Sequence, residues 1–135
     1  MERSSIMSGA ILAAIGFVLL AGAFQNAGRV LATTGATAYF FGGVLIVAAE
    51  ALMLTLGYEK VIGLVNIYVV MAFLAQVAIG GAVVQSGSLA ASIGWIMILW
   101  NSAWLIVLSL FSRRDMYYPV LHYVMPLVIG IALLL

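Results

Sequence analysis

Five long apolar stretches, separated by short polar breaks, make up the whole chain. The breaks are "QNAGRVLATTG", "GYEK", "VQSGSLAA" and "SRRDMYY". Each stretch is apolar all round and close to twenty residues long, the length that spans a bilayer as a helix. Barrel strands alternate in polarity over about ten residues, and no such alternation is present. The pattern predicts an all-α, polytopic membrane bundle of five transmembrane helices, at 5–24, 36–57, 61–83, 91–111 and 117–135. All four breaks are short, so consecutive helices run antiparallel as neighbours. One transmembrane domain is expected, with no linker.

Composition strengthens this reading. Of 135 residues, 67% are hydrophobic and 7% charged, with a mean hydropathy of +1.29. About a quarter charged is usual for a water-soluble domain, so lipid is the expected solvent. Without water to satisfy the backbone, spans close their hydrogen bonds internally. The opening "MERSSIMSGAILAAIGFVLLAGAF" has a longer apolar region than a signal peptide's 7–15 residues and is read as a retained first helix. Arg3, Lys60, Arg113 and Arg114 fall on one face, with only Arg29 opposite. The positive-inside rule therefore predicts a cytoplasmic N-terminus and an external C-terminus. The ending "IALLL" suggests a cut chain or a terminus covered by another subunit.

Absences narrow the chemistry. There are no cysteines and a single histidine, which removes disulfides, thiolate metal sites and bis-His haem. A net charge of +1 argues against nucleic-acid binding. No nucleophile–base arrangement or phosphate loop is present. Neither an enzyme nor a cofactor or metal is expected.

Small residues trace expected packing faces. Gly9, Ala13, Gly16 and Ala23 form one on the first helix; Ala36, Gly43 and Gly57 flank Glu50 on the second. Ser88, Ser92, Ser102 and Ser109 share a stripe with Trp95 on the fourth. Such faces let membrane helices associate, and fourteen glycines also allow backbones to line a narrow passage.

"QNAGRV", "YFFGGVLIVAAEA" and "LGYEKVIGLVNIYVVMAFLAQVAI" resemble the microbial acetate transporters, which carry a similar Asn-Ala-Gly, a Phe-Tyr-Gly-Gly and a short charged loop. "IGWIMILWNSAWLIVLSLF" resembles the penultimate helix of the related acid-gated urea channels and amide-linked permeases. The resemblance implies a homohexamer whose protomers each hold a narrow pore with an aromatic and apolar constriction. It implies small solutes: acetate, other short monocarboxylates, urea or short amides. Three departures restrict the carry-over. Five helices stand here against six, the opening Asn-Pro-x-Pro-Leu-Gly is replaced by "ERSSIMSGA", and Ile46 occupies a polar position of the family. What carries over as pore-side candidates is Asn26, Phe40, Phe41, Gly42 and Gly43, with Phe40 and Phe41 narrowing the path.

Glu50, Asn66, Asn101 and His122 sit within the apolar stretches. At about 1.5 Å per residue, Glu50 and His122 fall roughly 5 and 6 Å to the cytoplasmic side of their helix midpoints. Asn101 falls near the middle, and Gln76 on the outer half. A charged acid near the bilayer centre costs about 2.5–3.5 kcal/mol, so an intramembrane Glu is neutral, paired or open to water. Glu50 and His122 are expected to face one another, or a common water, within or between protomers, and to share a proton; the simpler reading is a protonated Glu bonding a neighbouring helix. For Asn66 and Asn101 the simpler reading is an amide bridging helices. Pro126 removes the hydrogen bond to the carbonyl of His122 and kinks the helix, leaving a free acceptor. Alternatively His122 belongs with Tyr117, Tyr118 and Tyr123 in an interfacial aromatic belt. Trp95 is expected in that belt, and Trp100 and Trp104 in packing. Two functions follow: a small channel or transporter for a small neutral or weakly acidic solute, with Glu50 and His122 as proton relay, or a non-catalytic accessory subunit of a larger membrane complex.

Overall fold

The computed structural model describes residues 2–25, 28–87, 89–112 and 114–134. They form five helices: α1 Glu2–Ala23, α2 Arg29–Leu56, α3 Tyr58–Ser86, α4 Ala91–Phe111 and α5 Pro119–Leu134. The first four are long and apolar enough to cross a membrane, as a multi-pass membrane protein requires. With 16 residues, α5 falls short of the roughly 20 that a full span needs. Against the expected boundaries, α4 agrees, and α2 begins seven residues earlier than 36. Thr33 and Thr34, counted in a polar break, continue the helix after Gly28, whose φ of 87° starts it.

A single residue joins α2 to α3. Gly57 has φ 83° and ψ 156°, a conformation that side-chain-bearing residues rarely adopt. It turns the chain back so that α2 and α3 lie antiparallel. At 29 residues, α3 is about 43 Å long and forms the axis of the bundle, flanked by α2, α4 and α5. Its face of Val61, Val65, Tyr68, Ala72, Gln76, Ile79 and Val83 is buried along the full length.

Close backbone approach sets the helix crossings. A Cβ added at Gly35 would stand 2.6 Å from the Ala75 carbonyl oxygen, which fixes α2 against α3. Gly80 and Gly94 face each other across α3 and α4, and a Cβ on either would come within 2.8 Å of the other's carbonyl oxygen. Small residues hold helices together here through dispersion and close packing. Of the expected small residues, Ala36 and Gly43 are buried beside Glu50 on α2 and Gly9 packs on the Tyr123 ring of α5, whereas other expected faces are turned differently. The buried stripe of α1 is Ala10, Ala14, Phe17 and Ala21, while Gly16 and Ala23 are exposed. On α4 the buried face is Gly94, Met97, Asn101 and Leu108. Ser92 and Ser109 are exposed and Ser102 half-buried; Ser88 lies outside the described residues.

Gly94→Leu should therefore lower stability in mild detergent by about 1–3 kcal/mol through overpacking. The thermal midpoint of the purified protein reads this. Gly43→Ala, whose new Cβ would meet only the Ala14 Cβ at 4.0 Å, should leave the midpoint unchanged.

Candidate functional site around His122

The site begins with a backbone group. Pro126 lies inside α5 and lacks the N–H that would bond the carbonyl four residues earlier, that of His122. Gln76 on α3 supplies the missing donor, its Nε2 lying 3.2 Å from the His122 carbonyl oxygen. One residue before, Trp100 Nε1 on α4 donates to the Leu121 carbonyl at 3.3 Å. Two consecutive carbonyls of α5 are thus held by side chains of α3 and α4. The acceptor expected from the proline is present and taken.

This anchoring directs the imidazole into the bundle. His122 is fully buried, with ring centroids of Phe73 at 4.5 Å, Tyr68 at 5.8 Å and Tyr117 at 6.0 Å. Tyr117 stacks nearly parallel to it, at 18°. Neither ring nitrogen has a hydrogen-bond partner. Other buried polar atoms share that condition: Gln76 Oε1, Asn101 Oδ1 and the hydroxyls of Tyr39, Tyr68 and Tyr117. The Tyr39 and Tyr68 hydroxyls lie close enough to influence each other, yet neither meets hydrogen-bond geometry.

On α3 these groups span about two helical turns, from Tyr68 to Gln76. From the Gly80–Gly94 crossing, Phe73 lies seven residues back along α3 and Asn101 seven residues on along the antiparallel α4, so both stand about 10 Å below it. Gln76 and Phe73 meet His122 there. Asn101 does not bridge helices through its amide nitrogen, which returns to the Met97 carbonyl of its own helix at 2.7 Å. Its Oδ1 is left over. Each buried polar atom without a partner costs about 1–3 kcal/mol, so this band is expensive to keep.

Glu50 stands apart from the band. It is buried, at 6% exposure, but the glycine contacts give its level. Gly42 packs on Tyr68 and Met71 of α3, so Glu50, eight residues further along α2, faces the first turns of α3. That is about 17 Å along the axis from the level of Phe73. No hydrogen bond from any described residue reaches the His122 ring. No direct Glu50–His122 hydrogen bond forms within the protomer. Depth counted from segment midpoints misled for α5, because its helix starts only at Pro119 after the non-helical 115–118 and is short. The same arithmetic put Gln76 and His122 in opposite halves, and they touch. Glu50 is instead within electrostatic range of Tyr58 and Tyr117.

The remaining candidates fall elsewhere. Asn66 is a clamp for the chain entering α5, donating from Nδ2 to the Arg114 carbonyl at 3.2 Å and accepting at Oδ1 from the Met116 amide at 3.0 Å. Phe40 and Phe41 are exposed at 52% and 58% and pack edge-on to each other. They face outward and narrow no path inside the protomer. Gly42 packs against Tyr68. Gly43 lines an apolar surface groove of about 450 Å³ between α1 and α2, with Ile11, Ala14, Phe40 and Val47. Asn26 lies outside the described residues.

Sequence reasoning passed over Tyr39, Tyr68 and Phe73, and offered an interfacial belt as one alternative for Tyr117, Tyr118 and Tyr123. Tyr123 in fact turns toward α1, donating to the Ile6 carbonyl at 3.2 Å; Tyr118 alone of the three is exposed. The available signal was the spacing of Tyr68, Ala72 and Gln76, which puts a hydroxyl and an amide on one helix face. Among the described residues no group of three His, Asp or Glu could hold a metal ion. No protein family matches this chain, and neither a curated protein nor a solved structure does.

The proline–glutamine exchange is testable as a double-mutant cycle. Gln76→Leu orphans the His122 carbonyl and should cost about 1–3 kcal/mol. In a Pro126→Ala background, residue 126 regains an N–H for that carbonyl, and the same substitution should cost at least about 1 kcal/mol less. Equilibrium unfolding in detergent measures both, and additive losses would contradict the exchange.

Proposed function

We propose that this chain is a small multi-pass channel or transporter for a small neutral or weakly acidic solute, whose path crosses the bundle at His122. The observation that carries the reading is the fully buried imidazole with both nitrogens unpartnered, ringed by Tyr68, Phe73 and Tyr117. A bundle that leaves polar atoms without partners in its apolar interior keeps them at a cost that a passing hydrogen-bonding solute would offset. Neutral imidazole offers one donor and one acceptor, and Gln76 Oε1 and Asn101 Oδ1 add acceptors. Imidazole is also the side chain of this set that can both take up and release a proton, so a proton link would act there.

Sidedness follows from the basic residues. The Gly57 junction and the segment after α4 share one end of the bundle, joined by the Arg114–Glu59 ion pair at 3.0 Å and the Tyr58–Asp115 hydrogen bond at 2.8 Å. With Lys60 that end is the basic one, and the positive-inside rule makes it cytoplasmic. The N-terminus is then inside and, with α5 as a fifth crossing, the C-terminus outside. The likeness to acetate transporters and urea channels favours a homo-oligomer, a hexamer, in a prokaryotic cytoplasmic membrane. The rival reading, an accessory subunit, draws on the apolar α1–α2 groove, which would take a helix of another polypeptide. Particle mass in mild detergent separates the two: a multiple of this chain favours transport, and a fixed stoichiometry with other polypeptides favours the subunit.

Proteoliposomes loaded with acetate, urea or formamide should show flux of at least one. His122→Leu should reduce it by about tenfold, the worth of one or two hydrogen bonds, while Glu50→Gln, outside the polar band, should stay within about twofold. Full flux in His122→Leu would remove His122 from the path.

A further inference from the structure

The chain between α4 and α5 is held in place in an unusual way. Residues 115–118 are not helical, and two of their amides bond to side chains instead of backbone carbonyls. The Met116 amide donates to Asn66 Oδ1 at 3.0 Å, and the Tyr117 amide to Asp115 Oδ1 at 3.0 Å. Asn66 Nδ2 takes the Arg114 carbonyl as well, so one α3 side chain grips the segment at two points. Two further ties lie at the rim: Tyr58 Oη donates to Asp115 Oδ2 at 2.8 Å, and Arg114 pairs with Glu59 at 3.0 Å with both side chains largely exposed. Exposed ties of this kind are weak in water and readily exchanged.

The inward side of the same segment is apolar and aromatic. Met116 is buried, and the Tyr117 ring stacks on His122 while lying 6.3 Å from that of Tyr68. Tyr117 thereby covers the end of the polar band that faces the Gly57 junction. We propose that residues 114–118 form a strap that closes this end of the His122 site by seating Tyr117 on it, latched by Asn66, Tyr58–Asp115 and Glu59–Arg114, and that release of the latch opens the site. The assignment rests on the transport reading for its purpose, but its geometry can be tested without any solute. The latch sits on the first turns of α3 and the covered site two to three turns further along, so an event at the rim reaches the site only through the strap. The Met116 and Tyr117 amides use side-chain acceptors, so the middle of the strap can lift while the Asp115–Ser112 and Leu121–Tyr118 backbone bonds keep its two ends on α4 and α5.

The absence of cysteine makes a single introduced thiol a clean reporter. Ala72 is fully buried and lies one helical turn from both Tyr68 and Gln76, on the face that meets His122. In Ala72→Cys protein purified in mild detergent, the rate of reaction with a water-soluble cationic methanethiosulfonate reports access to the site. The strap predicts slow reaction with the latch intact. Adding Asn66→Ala should raise the rate by about tenfold or more, and Tyr58→Phe, which removes one exposed hydroxyl, by about threefold. Tyr118→Phe, on the strap but outside the latch, should leave it unchanged. If Asn66→Ala loses its monodisperse elution profile, Tyr58→Phe decides alone. Rates within about twofold of the parent in the folded latch variants would overturn the strap, and so would an Ala72→Cys parent that reacts as fast as a free thiol. Faster labelling without flux of acetate, urea or formamide would support the strap and count against transport alone. Flux that depends on His122 with unchanged labelling would overturn the strap alone.

Discussion

A proline in an apolar helix releases a carbonyl that a bilayer cannot solvate, and in this protein the position of α5 depends on how that carbonyl is satisfied. Pro126 frees the His122 oxygen, and Gln76 takes it at 3.2 Å. The bond is worth more than its mean value, because the alternative is an orphaned acceptor in hydrocarbon. It joins α5 to α3 at one register, and the imidazole of the same residue then enters the space between Phe73, Tyr68 and Tyr117. Trp100 fixes the neighbouring carbonyl from α4. The site is thus a consequence of backbone hydrogen-bond accounting on a short, interrupted helix.

Around this anchor the bundle divides its work. Gly35 against Ala75 and Gly80 against Gly94 bring the backbones of α2, α3 and α4 into contact, giving a dense frame without any need for hydrophobic drive. Within that frame sits a layer whose hydroxyls, amide oxygens and imidazole nitrogens are only partly satisfied. A structural core gains nothing from such a layer, since apolar residues of like volume would pack there at no desolvation cost. That imbalance is the observation on which the proposed path for a hydrogen-bonding solute rests.

The helices were legible in the sequence because each stretch is uniformly apolar and the breaks are short and polar, and α4 at 91–111 agrees to the residue. The proline's released acceptor was legible for the same reason: it follows from covalent structure. Helix faces were not. Where lipid replaces water, a residue turned outward is as apolar as one turned inward, so Phe40 and Phe41, which read as a constriction, face away. The serine stripe of α4 failed on the same ground. Depth failed for His122 because counting from a segment midpoint assumes a full span, and α5 is neither full-length nor preceded by helix. The partnership of Glu50 and His122 rested on the same count of depth, and no direct hydrogen bond joins them within the protomer. Tyr68 and Phe73 went unnoticed because an aromatic in an apolar helix carries no mark of what it faces.

The chain holds one histidine, so selective nitrogen-15 labelling of histidine gives a nuclear magnetic resonance signal that belongs to His122 alone. In detergent or lipid, the two ring resonances should move saturably when acetate, urea or formamide is added, whichever of them the protein carries, and should not respond to glucose. Transport of one of these solutes by the same preparation with both His122 resonances unmoved would contradict the claim that His122 stands on the path.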